Sequence, residues 1–166
     1  SPTSIINYMT EVLNAKIENR EAEYVNIEPY YWGFRGSLRV CQLSKKNGDA
    51  ALTMISDGIV TFSNESDGVC DCVIEELPIG TSAESFMEDM KRLLNHKCFK
   101  DITKTIKEER ITINIVGLST TECQIENKSG RSIKIVPRDY VKKKIRSTIS
   151  LNNIVLLDEY GLPRRY

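Results

Sequence analysis

The 166-residue chain is 40% hydrophobic and 28% charged, enough apolar material for one domain or a compact two-lobed unit and enough charge for a soluble surface. Its 23 Lys and Arg cancel its 23 Asp and Glu, so no net field draws it to nucleic acid or to a membrane surface. No apolar run approaches the roughly 18 residues of a membrane span. The opening "SPTSIINYM" lacks the charged start and apolar stretch of a secretory signal.

In chain order, residues 3–18 predict a helix. Ile5, Met9, Val12, Leu13 and Ile17 form a stripe of period 3.6, with Thr3 or Ser4 as its cap. From Tyr24 to Glu76 the pattern turns strand-like. "YVNIEPYYWGF" is rich in aromatic and β-branched residues and is broken at Pro29. "GSLRVCQL" gives a strand, and Asn47-Gly48 suits a primed hairpin turn. "ALTMISDGIVTF" reads as a strand that meets a turn at Asp57-Gly58 and leaves as a second strand. A turn follows at "ESDGV", then the strand "CDCVIEEL".

At Pro78 the character changes. Thr81 and Glu84 have capping-box spacing, and Phe86, Met90, Leu93 and Leu94 form a helical face ending near Asn95. "FKDITKTIK" is mixed, "RITINIVGL" alternates at Ile111, Ile113 and Ile115, and "TTECQIE" and "SIKIV" frame a turn at "KSGR". Pro137 opens a short helix over "RDYVKKKI", and "NNIVLLDEY" reads as a last strand. No internal repeat or low-complexity tract interrupts this order.

The five cysteines, Cys41, Cys70, Cys72, Cys98 and Cys123, are odd in number and scattered. They read as free thiols of a reducing compartment rather than a disulfide framework. With one histidine, His96, far from them in sequence, no metal site and no cofactor are expected. Nuclease chemistry needs clustered carboxylates. Glu75-Glu76 and Glu108-Glu109 are adjacent pairs that would point to opposite faces of a strand. The phosphate-cradling G-x-x-x-x-G-K pattern is absent, so a non-enzymatic protein is expected.

The order helix, short strands, helix, short strands resembles the extended Tudor domain, a Tudor barrel joined through a helix to a staphylococcal-nuclease-like (OB-type) half. "GFRGSL" looks like the family's W-Y-R-A strand, "TMISDGI" like its F-I-D-Y-G-N segment, and "CVIEELP" like the exit into the second half. Helix 86–94 and "TTECQIENKSGRSIKIV" resemble the nuclease-like helix and closing hairpin. The implied fold class is α+β, mostly β. Residues 1–20 form a leading helix, 22–76 the Tudor barrel, and 77–166 the connecting helix and nuclease-like half. The chain departs from the family in starting at the first helix and in ending with an extra strand placed to patch an exposed edge.

The resemblance implies a protein-interaction module. Family members that read methylated arginine hold the cation between aromatic faces, each contact contributing about 0.5–2 kcal/mol. Phe34 stands where one ring is needed, and Tyr30, Tyr31 or Trp32 supplies another. Met54 and Asp57 stand where the other rings belong, and Ile59 replaces the orienting asparagine. The cage is therefore degenerate. The expectation is a peptide segment of a protein partner, favoured by a basic residue, bound at Tyr30, Tyr31, Trp32, Phe34, Met54, Asp57 and Ile59. By resemblance the setting is a scaffold of small-RNA (piRNA) and germ-granule proteins, cytoplasmic and perinuclear. The alternatives are a reader of symmetric dimethylarginine and an RNA-binding module using Lys142, Lys143, Lys144 and Arg146, with only Tyr140 nearby to stack a base.

Overall fold

A computed structural model describes residues 1–23, 27–44, 50–108, 110–127, 129–151 and 155–165. The fold is α+β and mostly strand, as the sequence implies. The turn expected at Asn47-Gly48, the start of the expected strand at Tyr24, and Glu109 lie outside the described residues.

Helix α1 (Pro2–Ile17) starts one residue earlier than its stripe suggests, with Ser1 at the N-cap and no side-chain cap. Proline suits the first turn because its missing N–H would have no helical partner there. The stripe has the expected period, yet Met9 and Leu13 are about three-fifths exposed, and only Ala15 of this helix is buried. Residues 27–36 form no strand. Pro29 lacks a ladder donor, and Gly33 takes a left-handed φ of 75° in a turn closed by the Phe34 N–H on Tyr31 O at 3.3 Å.

Strands β1 (Ser37–Ser44) and β2 (Ala50–Asp57) pair antiparallel. Strand β3 (Ile59–Ser66) follows after the single residue Gly58 but pairs with β4 (Val69–Glu76), not with β2. The expected turn at Asp57-Gly58 is therefore a crossing from one sheet to another. A Cβ on Gly58 would stand 2.2 Å from the Glu76 carbonyl oxygen, so no other residue fits the crossing unless the backbone shifts. The predicted turn between β3 and β4 is present, with Gly68 at φ 77°.

Helix α2 (Ala83–Asn95) is capped one residue later than the Thr81–Glu84 spacing suggests. The Ser82 hydroxyl accepts from the Ser85 N–H at 3.2 Å, while Glu84 turns to Lys104. Strands β5 (Asp101–Lys107) and β6 (Arg110–Ser119) follow, then the hairpin β7 (Cys123–Glu126) and β8 (Ser132–Ile135). Helix α3 (Pro137–Lys144) leads straight into β9 (Arg146–Ser150), a strand that the sequence pattern does not announce. The closing strands β10 (Val155–Leu157) and β11 (Pro163–Arg165) pair with each other, so the terminal strand patches no other edge among the described residues.

Two sheets organise the molecule, β1-β2-β9 and β3-β4-β6-β5. Residues on either side of position 77 share both, since β2 pairs with β9 and β4 pairs with β6. The core joins Cys70, Cys72 and Ile74 of β4 to Ile113, Ile115 and Leu118 of β6. These meet the apolar face of α2 (Phe86, Met90, Leu93), with Val141 of α3 and Ile145 alongside. Ile113 and Ile115 are buried, as strict alternation on a half-covered strand requires. Cys70 and Cys72 point into the same core, and all five cysteines are free.

Candidate functional site

The seven residues expected to form one site do not line one cleft. Tyr31, Trp32 and Phe34 line an open cleft of about 790 Å³ with Arg35, Glu75 and Glu76 of the β4 end and with Glu108 and Arg110 of the β5–β6 turn. Trp32 is 84% exposed, held out from the core by the turn at Gly33. In the cleft lining, the Arg35 guanidinium donates to the Glu75 carbonyl at 2.7 Å and meets Glu76 at 3.4 Å. Tyr30 is exposed and does not line the cleft.

Neither Met54 nor Asp57 lines that cleft, although the Asp57 carbonyl oxygen and the Phe34 ring both crowd Gly36, at 2.1 and 2.4 Å from where its Cβ would stand. Met54 and Asp57 are three residues apart on an unbroken stretch of β2, so they face opposite sides of the sheet. Met54 stands between Val40 and Ile149 in the middle of the three-stranded sheet. Ile59 lies on β3 opposite Glu76.

Asp57 instead faces α3 across a second groove of about 510 Å³, lined by Gly58, Val60, Asp139, Lys142, Lys143, Ile145 and Arg146. It stands directly opposite Arg146 in the β2–β9 ladder. Arg146 Nε donates to Oδ1 at 2.5 Å and Nη2 to Oδ2 at 3.2 Å, while Arg39 of β1 reaches the same Oδ2 at 3.2 Å. The hydrogen bond to Asp57 holds the Arg146 guanidinium still more firmly protonated than usual.

The lysine run on α3 divides into two kinds. Lys144 turns inward, its Nζ 2.6 Å from Asp89 of α2 and 5.5 Å from the centre of the Tyr140 ring. Asp89 also meets Arg92. Burial works to raise the Asp89 pKa, but the hydrogen bonds and charges of Lys144 and Arg92 outweigh it and hold the carboxyl below its ordinary value. Lys142 and Lys143 are exposed and have no ion-pair partner among the described residues. Arg138 lies over the Phe62 ring at 5.2 Å and pairs with Glu65 at 2.8 Å.

Other candidate chemistry is accounted for structurally. His96 caps the end of α2, and its Nε2 accepts from the Glu126 N–H at 3.3 Å. Among the described residues no group of three or more His, Cys, Asp or Glu could hold a metal ion. No helix among them is long and apolar enough to cross a membrane. Arg39, Asp139 and the partnership of Asp57 with Arg146 escape sequence reasoning, because the last joins residues 89 positions apart through an unannounced strand.

No family model matches the chain, and no curated protein matches it. Among solved structures it is similar to the crystal structure of the Plasmodium falciparum topoisomerase II DNA-binding, cleavage and re-ligation domain. The likeness has a TM-score of 0.59 at 21% sequence identity and covers 100% of this chain. The chain spans 19% of that structure's chain. At this identity the likeness establishes a shared fold.

Proposed function

We propose that this chain is a DNA-contacting part of a larger machine of the topoisomerase II kind. The observation that carries the reading is that the shared fold extends over the whole chain rather than over one hairpin or helix. Because the chain corresponds to only 19% of the neighbour's length, DNA contact alone is proposed for it, and not cleavage or re-ligation. A neutral chain binds DNA when its cations are gathered on one face, since phosphate contact is local and its energy comes from releasing condensed counterions. The exposed Lys142 and Lys143 and the Asp57-held Arg146 make such a gathering. A labelled duplex titrated with the protein should give an anisotropy change whose affinity falls linearly on a log–log salt plot. No binding at low salt would end this reading.

A second reading keeps the protein-interaction module of the extended Tudor kind, with a peptide partner and a cytoplasmic germ-granule scaffold setting. It is supported by the cleft that gathers Tyr31, Trp32 and Phe34 beside Glu75 and Glu108. Aromatic faces and carboxylates together attract a cationic side chain. Calorimetric titration with an arginine-glycine peptide, plain and symmetrically dimethylated, tests it. Heat that is lost in Trp32→Ala and Phe34→Ala supports it, and no heat with either peptide removes it.

A further inference from the structure

We infer that the groove between the end of β2 and α3 seats the phosphodiester backbone of a DNA duplex, with Lys142, Lys143 and Arg146 as its contacting cations. This rests on the DNA-contact reading above and adds the groove and the part each cation takes in it. Four cations, Arg39, Lys142, Lys143 and Arg146, surround the groove and its rim against two carboxylates, Asp57 and Asp139. One of those carboxylates, Asp57, is shared by two guanidinium groups, so the surplus is positive.

The geometry fits a phosphate better than a general acidic surface. Asp57 takes Arg146 by its Nε–Nη2 edge, which fixes the guanidinium plane and leaves Nη1 and the outer Nη2 proton to donate elsewhere. A fixed fork presented this way matches two oxygens of one phosphate. Lys142 and Lys143 supply mobile point charges on the opposite wall. Between them Val60 and Ile145 give an apolar floor against which a sugar can lie. Lys144 does not contact the ligand. Its tie to Asp89 anchors α3 on α2 and so positions its two neighbours.

The same face points to a duplex rather than a single strand. Single-strand binders stack bases on open aromatic faces. No aromatic side chain lines the groove, and the rings of α3 and β3, Tyr140 and Phe62, are half-buried and already carry Lys144 and Arg138 on their faces. Charges are on offer in this groove, and rings are not.

The test is fluorescence anisotropy with a labelled duplex over a salt series. It compares the wild-type chain, Lys142→Gln/Lys143→Gln, each single lysine variant, Arg146→Gln, and a control, Lys91→Gln/Lys107→Gln, on other exposed surfaces. The double variant should lose about tenfold or more in low-salt affinity and lower the log–log salt slope by about two, each single variant by about one, and the control should change neither. Wild-type binding with an unchanged slope in the double variant overturns the groove while leaving DNA contact standing. Absence of wild-type binding overturns both. Equal affinity for a polyglutamate peptide, lost in the same variants, overturns the phosphate assignment in favour of an acidic protein segment.

Discussion

Asp57 and Arg146 stand opposite each other in the β2–β9 ladder and share two hydrogen bonds, although 89 residues separate them in the chain. The pair sits where β2 leaves its sheet at Gly58, whose N–H donates to Ile145 O at 2.8 Å. It therefore fastens the start of β9 to the sheet crossing and orients the guanidinium at the groove. Arg146 is half exposed, so water screens the pair and its worth to stability is small. A double-mutant cycle with Asp57→Asn and Arg146→Gln, followed by urea denaturation, should give a favourable coupling that shrinks as salt rises. A coupling unchanged at high salt would contradict a screened surface pair.

Asp89 should show the clearest pH signature. Its folded pKa lies below the ordinary 3.8, so its contribution is fully present above that value and is lost as pH falls through the depressed folded value. Lys144 has the opposite sign: its pKa is raised by the Asp89 hydrogen bond, so its contribution holds at neutral pH and is lost in alkali above its ordinary 10.5. Asp89→Asn is expected to destabilise the protein by about 1–2 kcal/mol at neutral pH, modest because Lys144 and Arg92 can both turn to water. Chemical denaturation at neutral pH and in acid should show the deficit of this variant closing as pH falls. A constant deficit would place its cause outside the ion pairs.

Gly58→Ala should be costly for a steric reason. The added methyl would meet the Glu76 carbonyl oxygen at 2.2 Å and its carbonyl carbon at 3.1 Å, both backbone atoms that cannot rotate away. A loss of about 2–3 kcal/mol is expected in a denaturant melt. Gly80→Ala is an informative contrast. Nothing lies within 4 Å of its added Cβ, so the cost there comes only from its left-handed φ of 84°. Equal losses at the two positions would show that crowding at the crossing is not the determinant.

The cysteines should divide by burial. Burial pushes the Cys72 thiol up to about 12, and burial, with Cys123 beside it, does the same for Cys98; burial also raises Cys70. Cys41 and Cys123 are half-buried. Brief alkylation of the native protein at pH 8, read by peptide mass spectrometry, should label Cys41 and Cys123 well before Cys70, Cys72 and Cys98. Early labelling of Cys72 would mean that the β4–β6 core opens locally.

Local pattern determined much of this protein. The apolar face of α2, the alternation of Ile113 and Ile115 and the turn at Gly68 are each encoded within a few residues, because helix and strand periods and left-handed turns are short-range properties. Composition likewise shows that charge is balanced overall, without showing where it gathers. Tertiary structure alone decided that β2 and β3, one residue apart, enter different sheets, and that residues 146–150 form a strand against β2. It also turned the Asp57 carboxylate to Arg146 and Arg39, into the groove beside α3, and left its backbone next to Phe34. The β2–β9 pairing joins residues 89 to 97 positions apart. No periodicity records such partners, because a backbone ladder can be satisfied equally well by any strand that arrives in register.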